Sequence, residues 1–188
     1  METINEKYQR VRGQINDGDF IIFSGTGFVA SVIREADDDS YASHIGRVVK
    51  LRNRYLIVDS NARGNHPEWL STRIDSYNKY SDFCVVRSNL SEDIISHDVI
   101  NFINQSDDER TRYDFTNGIK ELLNRSFGFR LKIKLNNREN ICSQSVRKSF
   151  EALNMGTLQF TLLSIAFPQD YIRFRNEFTT ELLFEGKY

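Results

Sequence analysis

The sequence predicts an α+β domain in which an antiparallel sheet packs against helices. Two observations carry that expectation. Short apolar runs with the length of strands occur at Asp19 to Phe23, His44 to Leu51, Tyr55 to Ser60 and Phe83 to Arg87. Apolar residues recur at helical spacing in other stretches, and strands and helices in this order suit an α+β arrangement rather than alternating βα units.

The first strand, Asp19 to Phe23, follows the turn signal Asn16-Asp17-Gly18. The loop Ser24-Gly25-Thr26-Gly27 leads to a predicted helix over Phe28 to Ala36, with Val29, Val32, Ile33 and Ala36 at helical spacing. That loop lacks the terminal Gly-Lys-Ser/Thr of a phosphate cradle. Asp37-Asp38-Asp39 lacks the alternating oxygen ligands of a calcium loop and reads as an exposed acidic turn. His44 to Leu51 and Tyr55 to Ser60, separated by Arg52-Asn53-Arg54, fit an antiparallel hairpin. His66 is expected in a turn, within Gly64-Asn65-His66-Pro67.

Three further helices are predicted. Glu92 to Gln105 carries Ile95, Val99, Phe102 and Ile103 behind N-terminal acids. Tyr113 to Asn124 carries Ile119, Leu122 and Leu123, and a helix starting near Cys142 carries Val146, Phe150 and Leu153. Between them, Arg125 to Arg138 alternates basic and apolar residues, the pattern of a half-buried strand with a solvated basic face.

At 188 residues the chain is read as a single domain, 1–188, with 39% hydrophobic and 27% charged residues, a globular balance. A net charge of −1 offers no global field toward nucleic acid or an anionic membrane, so neither is expected as a partner. No apolar run is long enough to span a bilayer, and Met1 to Asp19 lacks the apolar core of a secretory signal. A cytoplasmic setting with Cys84 and Cys142 as reduced thiols is the expectation.

The residues able to carry chemistry are few. As the first turn of a helix, Cys142 shares a face with Val146, Phe150 and Leu153, and its thiol lies near the positive end of the helix dipole, which favours thiolate. Taken alone, such a cysteine is more often a small core residue. His44 opens a strand on which His44, Gly46 and Val48 share one face, and Gly46 leaves room beside the imidazole. Asp59 shares a face with Tyr55 and Ile57 on the neighbouring hairpin strand, where a carboxylate is costly unless paired. Pairing with His44 would relieve that cost and orient the ring for a thiol, although Asp59 alone also reads as a strand-ending turn residue. His66 and His97 read as surface histidines, the three histidines have no metal-site spacing, and Cys84 reads as core.

In chain order, Gly18-Asp19-Phe20-Ile21-Ile22-Phe23, Ser40-Tyr41-Ala42-Ser43-His44-Ile45-Gly46, Val58-Asp59-Ser60, Tyr113-Asp114-Phe115, Ile141-Cys142-Ser143-Gln144 and Pro168-Gln169-Asp170 resemble the YiiX/YebB-like branch of the circularly permuted NlpC-type papain-like superfamily. Histidine before cysteine is the permuted order. The resemblance implies a permuted papain-like (NlpC-type) domain with the catalytic Cys at a helix N-terminus. It implies Cys142 as nucleophile, His44 as base and Asp59 as the polar third residue, with Tyr113, Ser143 and Tyr41 as substrate-binding residues. Asp59-Ser60 stands where the family has Glu-Ala, and Gln144 where it has Glu. The implied activity is hydrolysis of an amide or ester through a thioester, without metal or organic cofactor. Peptide, amide and lipid-ester substrates fit that chemistry, as does a lipid-directed acyltransferase or deacylase, and a non-catalytic binding domain would use the same fold.

Overall fold

The computed structural model describes residues 2–27, 30, 31, 33, 34, 41–61, 64–87, 112–113, 139–140 and 181–184. The chain opens with helix α1, Ile4–Val11, and a 3-10 turn at Arg12–Gln14. Strands β1 (Phe20–Ser24), β2 (His44–Leu51), β3 (Arg54–Asn61) and β4 (Gly64–Trp69) follow, then helix α2 (Leu70–Ser76) and strand β5 (Asp82–Arg87). Short strands β6 (Arg112–Tyr113), β7 (Glu139–Asn140) and β8 (Glu181–Phe184) come later.

Six of these strands form one antiparallel sheet in the order β4-β3-β2-β1-β5-β8, while β6 and β7 pair in parallel with Tyr113 opposite Asn140. The β2–β3 hairpin closes at Leu51 opposite Arg54, so its loop is two residues and Arg54 belongs to the strand. Arg52 takes the positive φ of 54° that such a tight turn demands at its first central residue.

Residues alternate strictly across the sheet, as the two-residue period requires. One face contributes Ile21, Phe23, Val48, Tyr55, Ile57, Phe83 and Val85 to the main core, where they meet Ile4, Tyr8 and Val11 of α1 and Leu70 and Ile74 of α2. Each fully buried side chain of this size stabilises by roughly 1.5–3 kcal/mol relative to exposure. On the other face Phe20, Ile22, Ile45, Val58, Cys84 and Val86 are also buried, so the sheet is enclosed on both sides.

Several expectations are corrected here. His66 lies in β4, opposite Asp59, rather than in a turn. The strand follows because β4 is the sheet's edge, where Pro67 and polar residues are tolerated. Tyr113 ends a short strand, and the rest of the helix expected from Tyr113 to Asn124 lies outside the described residues. Of the helix expected at Phe28 to Ala36, residues 30, 31, 33 and 34 are helical, with Ser31 N–H donating to the Gly27 carbonyl. The expected helices over Glu92 to Gln105 and from Cys142, the acidic run from Asp37 and the basic stretch from Arg125 to Arg138 lie outside the described residues. Among the described residues, no helix is long and apolar enough to cross a membrane.

Candidate active site

His44 owes its place to the start of β2. It pairs with Phe23 of β1, and just before it the Ser43 N–H and hydroxyl both donate to the Phe23 carbonyl, at 2.8 and 3.1 Å. The same hydroxyl accepts from Gly25 N–H, tying the loop after β1 to the strand that carries the histidine. The imidazole is tilted 34° to the Phe23 ring at 6.1 Å, and Tyr77 stacks on Phe23 with ring centroids 4.6 Å apart.

Asp59 reaches His44 along the sheet. The β2–β3 register sets Arg47 opposite Val58, which puts Gly46 against Asp59 and makes His44 and Asp59 diagonal neighbours on one face. A Cβ built on Gly46 would fall 2.6 Å from Ile57 and 3.1 Å from Asp59 Cβ. The absent side chain therefore lets the carboxylate lean across. His44 Nε2 and Asp59 Oδ2 are 2.7 Å apart, with Asp59 fully buried and the histidine side chain 14% exposed.

Sequence reasoning missed the third member of this group. Arg73, on the seven-residue helix α2, brings Nη2 to 3.0 Å from Asp59 Oδ1 and 2.9 Å from Oδ2. Its Nε lies 3.2 Å from Glu68 Oε2, an ion-pair contact whose angle falls short of a hydrogen bond. The helix is anchored by Leu70 and Ile74, and Arg73 beside them points at the sheet end rather than into water. The only sequence signal for it was a carboxylate in an apolar strand, whose cost one neutral histidine does not fully offset.

The geometry of the pair favours one tautomer. Both oxygens of Asp59 lie beside a guanidinium N–H and act as acceptors there, so the Nε2–H of His44 is the donor to Oδ2. In the neutral ring that leaves Nδ1 as the basic nitrogen.

Of the other expected site residues, Tyr41 is buried three positions before His44, and Tyr113 stands in β6 by its backbone. Cys142, Ser143 and His97 lie outside the described residues. Cys84 is 2% exposed, and burial pushes its thiol up to about 12, so it is a core residue in both packing and reactivity. Among the described residues, no group of three or more His, Cys, Asp or Glu is arranged to hold a metal ion.

No family model matches the sequence, and no curated protein matches it. Among solved structures it is similar to the metalloprotein yiiX from Escherichia coli O157:H7, with a TM-score of 0.55 at 17% identity. The match covers 74% of this chain and 66% of that one, so the chain spans just under two thirds of the length of that protein. At this identity the likeness is one of backbone architecture. The chain has a YiiX-like fold, α+β with an antiparallel sheet.

Proposed function

We propose that the chain is a thiol hydrolase of the circularly permuted NlpC-type papain-like kind, with Cys142 as nucleophile, His44 as base and Asp59 as the residue that orients the base. The observation that carries this reading is the buried His44–Asp59 pair at 2.7 Å, built on a glycine that admits the carboxylate. A histidine held through Nε2 presents Nδ1 as a proton acceptor, which is what a thiol requires of its base.

Chain geometry supports bringing Cys142 to that histidine. Strand β7 ends at Asn140, pairs with β6, and β6 lies alongside β4, the strand next to Asp59. Cys142 follows Asn140 by two positions, a reach of at most about 7 Å. The sequestered Cys84 adds weight, since it leaves Cys142 as the thiol available for chemistry.

In this mechanism the Cys142 proton passes from Sγ to Nδ1 of His44. The thiolate attacks an amide or ester carbonyl, and backbone N–H groups at the start of the helix that the sequence predicts from Cys142 would receive the oxyanion. Collapse of the adduct breaks the bond to the leaving group, which takes the proton from His44 and leaves a thioester. Water, deprotonated by His44, then releases the acid and restores the thiol. The solved neighbour is described as a metalloprotein, but here the buried carboxylate is engaged by His44 and Arg73, which favours the thiol reading.

Iodoacetamide labelling of the native protein against pH tests it, with both cysteines quantified by peptide mass. Cys142 is expected to react well below the pH of an ordinary thiol near 8.5, Cys84 to stay unreactive, and His44→Ala to abolish the advantage. An ordinary Cys142 profile, unchanged by His44→Ala, overturns the proposal. Profiling with peptide and lipid esters then separates the substrate classes.

A further inference from the structure

The pair just described contains more charge than a base and its orienting acid need. Asp59 is fully buried, and Arg73 places Nη2 2.9–3.0 Å from both of its oxygens, while Glu68 Oε2 sits 3.2 Å from Arg73 Nε. Around the imidazole, the charged and titratable residues on the packed elements include Asp59 on β3, Glu68 on β4 and Arg73 on α2. Tyr77 stacks on Phe23, and His66 stands opposite Asp59 in the β4 register.

A buried carboxylate that lacks a balancing cation tends to draw a proton onto its pair with a histidine, as imidazolium or as carboxylic acid, because burial penalises unbalanced charge. Either outcome takes away the base, the first by occupying Nδ1 and the second by weakening the grip on Nε2. A permanently charged guanidinium removes the need for that proton. We propose that Arg73 is the positioning residue of this site: it balances Asp59 so that the carboxylate holds His44 firmly while the imidazole stays neutral and able to accept a proton. The assignment rests on the thiol-hydrolase reading for its purpose, but the charge balance itself is independent of Cys142. Glu68, partly exposed, meets the same guanidinium at Nε and is screened by solvent.

The test follows the His44 ring by nitrogen-resolved NMR in a Cys142→Ala background, so that no thiol proton enters the titration. With Arg73 present, His44 is expected as the neutral Nε2–H tautomer at pH 7.5. Arg73→Gln is expected to raise the pH at which the His44–Asp59 pair takes up its proton by about one unit or more, the scale of a lost opposite charge at contact distance. Arg73→Lys keeps the charge and is expected to restore most of the original profile, and Glu68→Gln to move it little. Should Arg73→Gln not fold, the ring's state with Arg73 in place still decides: a His44 that is imidazolium at pH 7.5 overturns the proposal. So does a profile that Arg73→Gln leaves unchanged. Failure of the hydrolase reading would show instead in Cys142 labelling with Arg73 intact, so the two failures are separable.

Discussion

Gly46 sits where a methyl group would fall 2.6 Å from two carbons of Ile57 and 3.1 Å from Asp59 Cβ, closer than side chains tolerate without displacement. Gly46→Ala is therefore expected to lower stability by about 1–3 kcal/mol and to push Asp59 away from His44. Urea unfolding and the His44 ring resonances would record the two effects. Because the clashing atoms include the Ile57 terminal methyl, adding Ile57→Val should recover part of both, a coupling that a double-mutant cycle measures. At this scale much was legible: periodicity put His44 and Gly46 on one face of their strand and Asp59 with Ile57 on one face of the next, and the β2–β3 register makes the two faces the same. Arg73 could not be placed, because an arginine on a short helix reads as a solvated charge until the helix is docked.

The elements divide along the same physical line. Strands β1, β2, β3 and β5 were legible because they are apolar runs buried on one or both faces. Helix α1 was not, although Thr3 and Glu6 form a capping box and Ile4, Tyr8 and Val11 share its buried stripe. It is only eight residues long, and the stripe is interrupted by Lys7, which is buried by pairing with Asp82 and the Phe83 carbonyl, each at 2.6 Å. Strand β4 was hidden by its polar edge composition. The turn before β1 was read correctly for its physical reason, since Gly18 holds φ at 81° and its N–H donates to the Val48 carbonyl. Gly18→Ala is expected to cost about 1–2 kcal/mol, seen as a lower unfolding midpoint with an unchanged denaturant slope.

For the molecule as a whole, pH acts through a second buried carboxylate. Asp19 accepts from Asn16 N–H and pairs with Arg87, whose Nη2 also reaches the Gln14 carbonyl, so one group ties the 3-10 turn, the start of β1 and β5 together. Burial raises its carboxyl above the ordinary 3.8, and the Asn16 and Arg87 bonds offset only part of that. The folded state then binds this proton more tightly than the unfolded chain. The group's contribution to stability is fullest below 3.8 and declines as pH rises through the raised value. The stability of the native protein relative to Asp19→Asn is thus expected to fall with rising pH across that window, as urea unfolding at several pH values would show.

The described polar group is also local in sequence. His44 and Asp59 are 15 residues apart, and Asp59 and Arg73 14, joined by one hairpin, one edge strand and one helix. Closing loops this short costs little chain entropy, and contacts of low sequence separation form early. Cys142 is translated long after them. Base, acid and arginine can therefore come together before the thiol emerges, so that a reactive cysteine would be delivered to a finished acceptor instead of waiting exposed for one.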